Sequence, residues 1–260
     1  MAPEAVIGND DHVPPRYRPL LEPPIGFAHR GARAHERDNT IAAFELALRL
    51  GATGLETDVW LTADGAVVLD HDGITSKLPL VKRRFRDVEH ASLPAYVPTL
   101  TELFESCGTD YHLSIDIKDA DAAPAVIEVV ERAAAGDDEM FRRVWLCHPS
   151  IERLTTWKDA WPHVRFVNSI RLPNIDEGIE RRAARLAAAR IDAMNMHYSD
   201  WSAGLTALFH RFDVLAFGWD AQHERVLAEL VDIGIDAVYS DHVDTMKMVL
   251  DSVYGDPASS

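Results

Sequence analysis

Two histidines and two carboxylates that could together do metal-assisted acid–base chemistry lie within one short stretch, residues 25–73. They are His29, Glu56, Asp58 and His71. Segment 54–61 alternates like a β-strand, and residues two apart on a strand project from the same face, so Glu56 and Asp58 can converge on one ion. A cation flanked by two imidazoles suits chemistry on an anionic phosphate ester better than on an uncharged substrate. The stretch therefore predicts a metal-assisted site for a phosphate ester.

Strand-like and helical patterns alternate along the chain, and these elements must position the site. Eight strand-like runs occupy residues 25–31, 54–61, 111–118, 143–149, 164–170, 192–199, 213–219 and 236–243, with helical patterns between most of them. Alternation of this kind implies a parallel sheet, and eight units in this length predict a closed (β/α)8 TIM barrel, an α/β fold, as a single domain. For the first helix we predict Asp38 or Asn39 as the N-cap and Gly51 as the end.

The barrel leaves short segments at both ends of the chain. We predict a Pro-rich N-terminal arm at 1–24, the barrel domain at 25–254 and a C-terminal tail at 255–260. The prolines make the arm extended, and we expect it to lie over the domain or to be partly mobile. Segment 74–98 reads as irregular and carries the basic cluster LVKRRFR, which is typical of a solvated loop.

Composition narrows the classes of partner. The net charge of −16 would repel nucleic acid and anionic membranes, so we expect a small-molecule substrate and no nucleic acid. No run approaches the roughly 18 to 20 apolar residues of a membrane-spanning helix, and the first residues lack the pattern of a signal peptide. Cytoplasmic location is the default expectation. Cys107 and Cys147 are expected to be buried free thiols.

Polar residues end most of the predicted strands, at the face where such barrels carry their active sites. Asp116 adds a third carboxylate, and three carboxylates without a cation would repel one another. Because the donors are hard oxygens, Mg²⁺ or Ca²⁺ is preferred over Zn²⁺. Arg30 offers a two-pronged donor for phosphate oxygens, and Lys118 adds a point charge.

Other residues at these strand ends have plain structural alternatives. Trp219 is as well suited to packing as to forming a substrate platform, and Asp241 to capping the last helix as to orienting a neighbour. His148 and His197 are more often hydrogen-bonded rim residues than catalysts.

Several segments resemble the glycerophosphodiester phosphodiesterase family. They are HRG at 29–31, DNT with AAF, GATGLETDVWLTADGAVVLDHD, VPTLTELFE, LSIDIK and YSDHVD, and the similarity runs in order over residues 26–244. The resemblance implies a metal-dependent TIM-barrel enzyme that releases an alcohol and glycerol 3-phosphate. It makes His29 and His71 the acid/base pair, Glu56 and Asp58 metal ligands, and Arg30 a phosphate contact. Asp116 stands where the family usually has the glutamate of its EIK triplet, and Lys118 matches the lysine.

Three departures from the family pattern concern the substrate. Asp38 and Asp116 each replace a glutamate, the connection from His71 to Val97 is short, and FGWD replaces the usual end of strand seven. A phospholipase D of the spider-venom sphingomyelinase type, acting on sphingomyelin or lysophospholipids, is the enzymatic alternative because such enzymes use Asp as the third ligand. A catalytically silent module that binds a phosphate ligand is the other. The nucleophile, water or the glycerol 2-hydroxyl, is left open, as is which histidine is acid and which base.

Overall fold

A computed structural model describes residues 17–78 and 81–255, and within these ranges eight parallel strands close into a barrel. The strands in chain order are β1 (Ile25–His29), β2 (Gly54–Leu61), β3 (Val67–Leu69), β4 (Ile74–Leu78), β5 (Val81–Arg84), β6 (His112–Ile117), β7 (Val144–His148), β8 (Arg165–Ser169), β9 (Ala193–His197), β10 (Leu215–Trp219) and β11 (Ala237–Ser240). The barrel is β1, β2 and β6 to β11, each paired with its neighbour in the chain, and β1 pairs with both β2 and β11. The predicted single-domain (β/α)8 barrel is confirmed.

Helices surround the barrel. They are α1 (Ile41–Arg49), α2 (Leu100–Cys107), α3 (Ala123–Ala134), α4 (Asp138–Phe141), α5 (Ile151–Ala160), α6 (Ile179–Ala188), α7 (Ala203–His210), α8 (Glu224–Asp232) and α9 (Val243–Tyr254). The strands are nearly continuously buried because they carry apolar residues on both faces, one facing the helices and one the barrel interior. Among the described residues, no helix combines the length and apolar character needed to cross a bilayer.

Aromatic side chains fill the barrel interior. Phe27 stacks on Tyr239 with ring centroids 4.7 Å apart, and Trp145 meets Phe217 edge-on at 5.1 Å. This cluster is almost fully buried, and Trp219 packs against it while also lining a cavity. The interior is therefore a packed core, and the cavity begins above it at the carboxyl ends of the strands.

The described part of the predicted arm lies over the domain. Residues 1–16 fall outside the described ranges, but the backbone N–H groups of Leu20 and Leu21 donate to Asp236 Oδ1 at 2.6 and 3.0 Å. Asp236 directly precedes β11, so this segment covers the amino-terminal end of the barrel, opposite the cavity. Of the predicted tail 255–260, residues 256–260 also fall outside the described ranges.

Two local predictions were wrong. The N-cap of α1 is Thr40, whose hydroxyl accepts from the N–H of Ala43 at 3.3 Å, and not Asp38 or Asn39. Asn39 adopts a left-handed backbone with φ of 53° and its side chain turns toward β2 instead. Segment 74–98 is not irregular throughout, because β4 and β5 pair as an antiparallel hairpin that holds part of the basic cluster. The alternation of apolar and polar residues is weak in this segment, so its two strands depend on the hydrogen bonds between them.

The predicted end of α1 is confirmed, and α2 begins at a well-formed cap. Gly51 follows α1 with φ of 90°, a conformation that glycine adopts without a steric penalty. Thr99 caps α2 through a capping box with Glu102, in which each side chain accepts from the other residue's backbone N–H.

Candidate active site

One cavity of about 300 Å³ at the carboxyl ends of the barrel strands brings together every site residue expected from the sequence. Those residues are His29, Arg30, Glu56, Asp58, His71, Asp116, Lys118 and Trp219. They come from β1, β2, the loop after β3, β6 and β10, so the cavity spans the barrel mouth. Charged groups of both signs therefore converge on one space large enough for a small ligand.

The turn after β1 is shaped by its glycine. Arg30 and Gly31 have φ angles of 55° and 81°, and a Cβ on Gly31 would lie 2.7 Å from the carbonyl carbon of Ala43 in α1. Only glycine allows this approach of two backbones. The turn aims the N–H of Arg30 at Glu56 Oε2, where it donates at 2.9 Å.

A carboxylate from the last strand end orients His29. Asp241 Oδ1 lies 2.6 Å from His29 Nδ1, and His29 Nε2 lies 3.9 Å from Glu56 Oε2. Burial alone would lower the pKa of His29, but the negative charge of Glu56 and the hydrogen bond to Asp241 outweigh it, so the pKa lies above its usual value. Of the two roles considered for Asp241, the structure shows the orienting one, since its side chain does not cap α9.

His71 stands in a tight turn at the edge of the cavity. Asp70 Oδ1 accepts the N–H groups of Asp72 and Gly73, each at 2.8 Å, which fixes the turn. His71 Nδ1 lies 2.8 Å from Asp72 Oδ1, and the His71 side chain is 43% exposed. Gly73, with φ of 63°, packs on the Trp60 indole so closely that a Cβ would clash at 2.4 Å. The loop is therefore held on both sides, and the imidazole faces the cavity.

Asp58 and Asp116 are direct neighbours on the adjacent strands β2 and β6. Lys118 Nζ lies between them, 3.0 Å from Asp58 Oδ1 and 2.6 Å from Asp116 Oδ2. Arg30 Nε lies 3.2 Å from Asp58 Oδ2. Burial would lower the pKa of Lys118, but the charges of Asp116 and Asp58 raise it above its usual value, so Lys118 stays cationic.

Glu56 is buried close to the negative charges of the other two carboxylates. Burial and then the charge of Asp58, with a further contribution from Asp116, raise its pKa to about 7. Within residues 17–78 and 81–255, no three His, Cys, Asp or Glu side chains are grouped so that they could hold a metal ion as they stand. The donor chemistry nevertheless fits a hard divalent cation, because three carboxylates with oxygen donors line one space.

Asn39 is a site residue that sequence reasoning did not single out. Its amide donates to Asp58 Oδ2 at 3.2 Å, while its carbonyl oxygen accepts from the Thr57 hydroxyl at 2.8 Å. This bridge fixes the carboxylate of Asp58. The DNT triplet, which contains Asn39, is part of the family resemblance. From the sequence, Asn39 itself was considered only as a helix cap.

Asn195 on β9 is a second cavity residue that the sequence patterns did not single out. Its side chain is buried and lines the cavity, and Asn195 Nδ2 lies 3.2 Å from the Ser169 hydroxyl. Among the described residues Asn195 Oδ1 has no hydrogen-bond partner. A buried acceptor without a donor is costly, which marks Asn195 Oδ1 as a candidate contact for a donor from a bound ligand.

The remaining rim residues divide between packing and hydrogen bonding. Trp219 both packs on the barrel interior and lines the cavity, so both alternatives considered for it are present. His197 Nε2 lies 3.1 Å from Asp220 Oδ2, and its ring meets Trp219 edge-on at 4.7 Å. His148 Nδ1 accepts the N–H of Ser150. Neither histidine lines the cavity, which agrees with their interpretation as rim residues.

A parallel (β/α)8 barrel with charged groups of both signs gathered in a cavity at the carboxyl ends of its strands has the architecture of a barrel enzyme. The family model described as "Glycerophosphoryl diester phosphodiesterase family" matches residues 29–245, and the chain belongs to this family. The chain is accordingly a phosphoric diester hydrolase.

Individual relatives are distant in sequence and cover most of the chain. A glycerophosphodiester phosphodiesterase of Caldanaerobacter subterraneus is 26% identical over 237 residues, which cover 85% of this chain and 95% of the relative. The crystal structure of a glycerophosphodiester phosphodiesterase from Thermotoga maritima is similar with a TM-score of 0.75 and 24% identity, over 86% of this chain and 97% of that one. An Oleispira antarctica phosphodiesterase solved with the product sn-glycerol-3-phosphate has a TM-score of 0.70 and 20% identity, over 88% and 97% of the two chains.

Proposed function

We propose that this enzyme hydrolyses glycerophosphodiesters to an alcohol and glycerol 3-phosphate, with a divalent metal and two histidines that transfer protons. The observation that carries the proposal is the convergence of His29, His71, Arg30, Lys118 and the carboxylates in one cavity. The family to which the chain belongs and the product bound to the Oleispira enzyme support the choice of substrate.

The metal would be held by Glu56, Asp58 and Asp116, and we propose Mg²⁺ or Ca²⁺ because all three donors are carboxylates. When bound, the ion would supply positive charge to the phosphate and its developing negative charge. The ion would also place a positive charge beside the buried Glu56, whose pKa is raised by burial and by the negative charges of Asp58 and Asp116.

The protein's own groups carry the proton transfers. Arg30 and Lys118 neutralise the phosphodiester oxygens, and one histidine takes the proton of the nucleophile as the new P–O bond forms. The other histidine gives a proton to the leaving oxygen as its P–O bond breaks. Asp241 and Asp72 hold the two imidazoles through Nδ1 and leave Nε2 of each for these transfers. Water as the nucleophile gives glycerol 3-phosphate directly, whereas the glycerol 2-hydroxyl gives a cyclic phosphate that water then opens to glycerol 3-phosphate.

The glycerol moiety is matched by the buried amide of Asn195. Its Oδ1, which has no partner among the described residues, would accept a hydrogen bond from a glycerol hydroxyl, and the neighbouring Ser169 lines the same cavity. Recognition of this kind distinguishes a glycerophosphodiester from a phosphodiester without hydroxyls.

A panel of phosphodiesters tests the function. Glycerophosphocholine and glycerophosphoethanolamine are incubated with the enzyme in Mg²⁺, Ca²⁺ or EDTA, and glycerol 3-phosphate is measured enzymatically. The expected result is release in one or both metals and loss of release in EDTA. Tight divalent-metal binding with no turnover of any member would contradict hydrolysis and indicate a phosphate-binding module.

Release of head groups from lysophospholipids is a second candidate, favoured by Asp116 in place of the usual glutamate. Lysophosphatidylcholine is compared with glycerophosphocholine in the same assay. Choline released faster from the lysolipid would favour this second activity over the first.

A further inference from the structure

We propose that a second cavity beside the catalytic one receives the leaving alcohol and favours an alcohol that carries an anionic group, with Arg37 as the residue that recognises the charge. This inference rests on the proposed function and names the class of its preferred substrates. The shared chemistry is a carboxylate or a phosphate on the alcohol that departs.

The two cavities meet at the reaction centre. The second, of about 470 Å³, shares Arg30 and His71 with the catalytic cavity, whereas His29 and Asn195 line the catalytic one alone. A phosphodiester bound at Arg30 with its glycerol toward Asn195 therefore directs its other ester group past His71. That group enters the second cavity.

Arg37 supplies positive charge in the second cavity. Its guanidinium lies 3.3 Å from the centroid of the Tyr96 ring, which holds the group flat against an aromatic face. Among the described residues no carboxylate oxygen lies within 4.0 Å of it. A stacked guanidinium keeps its edge N–H donors for a carboxylate or phosphate.

The other arginine of this cavity outside the catalytic site is already paired. Arg33 lies 3.8 Å from Asp38 and 3.4 Å from Asp241. Asp38 is also 3.3 Å from Arg30. Arg33 is thus neutralised by its neighbours, which leaves Arg37 as the cation open to a ligand.

The remaining acidic groups of the cavity are likewise engaged. Asp70 accepts two backbone N–H groups of its own turn, and Asp72 is hydrogen-bonded to His71. These carboxylates are directed at other donors, and neither forms an ion pair with Arg37 among the described residues. Tyr96 is 44% exposed, and a leaving group seated on Arg37 would cover the ring.

Two pairs of substrates test the preference, since the members of each pair differ by one anionic group. Glycerophosphoserine differs from glycerophosphoethanolamine by a carboxylate, and glycerophosphoinositol 4-phosphate differs from glycerophosphoinositol by a phosphate. The measured quantity is the ratio of kcat/KM within each pair, for the wild-type enzyme and for Arg37→Gln, Arg37→Lys and Arg49→Gln.

The expected wild-type ratio favours the anionic member by about tenfold in at least one pair, as one charge-assisted contact would give. Arg37→Gln should bring that ratio toward one, and Arg37→Lys should retain part of it because the charge remains. Arg49 pairs with Glu45 on the surface of α1 and lines neither cavity, so Arg49→Gln should leave the ratio as in the wild type.

The outcomes separate this inference from the proposed function. A preference in the first pair alone identifies a carboxylate as the recognised group, and one in the second pair alone identifies a phosphate. Hydrolysis of all four substrates with equal ratios in the wild type and Arg37→Gln would overturn the leaving-group site but keep the function. No hydrolysis of any substrate would overturn both.

Discussion

Two sets of buried polar groups, one at each end of the barrel, differ in how completely they are paired. At the amino-terminal end, the fully buried Asp236 accepts from the N–H groups of Leu20, Leu21 and Ala216 and faces His210 Nε2 at 2.7 Å. At the carboxyl-terminal end, Glu56 is left with an excess of negative neighbours, and Asn195 Oδ1 lacks a partner among the described residues.

Asp236 is thus a fully paired group, whereas Glu56 and Asn195 are incompletely paired ones. The first kind of group stabilises the fold because every donor and acceptor is satisfied without a ligand. The incompletely paired groups would gain their missing partner from a bound ligand, and they lie at the end where barrel enzymes place their chemistry. Substitutions at the two ends should therefore separate stability from activity.

The largest expected effect is on activity at the carboxyl-terminal end. His29→Ala and His71→Ala should each lower kcat/KM for glycerophosphodiesters by about 10² to 10⁴-fold, because each removes one proton transfer. The exposed surface residue His223 provides the control, since His223→Ala removes an imidazole that lines neither cavity. Kinetics and thermal melts are measured together, and near wild-type hydrolysis by His71→Ala would rule out its role.

Removing the paired aspartate at the opposite end should affect stability instead. Asp236→Ala leaves His210 and three backbone N–H groups without their acceptor, so the free energy of unfolding should fall by about 3 to 5 kcal/mol. Urea unfolding measures this change. Asp159→Ala removes an exposed carboxylate whose one ion-pair partner among the described residues is Arg190, and it should change the free energy of unfolding by less than about 0.5 kcal/mol. A stable Asp236→Ala protein that has lost activity would contradict the claim that this end affects stability and the opposite end affects activity.

Acid should destabilise the protein through His112 at the same end. Burial, with Arg165 and Arg143, lowers the pKa of His112 to about 4, and its neutral Nδ1 accepts from Trp145 Nε1 at 3.2 Å. The unfolded chain binds this proton more readily, so the stabilisation is complete above pH 6.5 and is lost as pH falls toward 4, by at most about 1.4 kcal/mol per pH unit. Urea unfolding across this range measures it. His112→Gln should flatten the slope, and an unchanged slope would contradict the assignment.

The smallest expected effect concerns recognition of glycerol. Asn195→Ala should lower kcat/KM for glycerophosphocholine by about tenfold, as expected for one lost hydrogen bond to a hydroxyl. Hydrolysis of bis(p-nitrophenyl) phosphate, which has no glycerol, should change much less. An equal fall for both substrates would show that the amide acts on the fold of the cavity and not on the hydroxyl.

The sequence was sufficient for the barrel because strand patterning is local. Each strand carries its own apolar run, and polar residues toward its carboxyl end mark the face that holds the cavity, as at His29 and Asp116. This pattern was enough to identify, from the sequence alone, residues that line the cavity in the structure. Their catalytic and metal-binding roles stay predictions.

Contacts between distant segments could not be obtained in this way. Asp241 meets His29 across 212 positions, and only closure of β1 on β11 brings them together. Asn39 was assigned to capping because its left-handed backbone depends on the packing of the turn against α1 and β2. The hairpin of β4 and β5 likewise depends on pairing between the two strands.

The most direct test of the central claim is a ³¹P NMR time course of glycerophosphocholine with the wild-type enzyme, in Mg²⁺ or Ca²⁺ and after EDTA, beside His71→Ala and Asp236→Ala. We predict conversion to glycerol 3-phosphate by the wild type with metal and by folded Asp236→Ala, and none above background with EDTA or in His71→Ala. A cyclic phosphate signal that rises and falls would identify the 2-hydroxyl as the nucleophile. Conversion at the wild-type rate by His71→Ala with metal would contradict an acid–base site at the carboxyl-terminal end of the barrel.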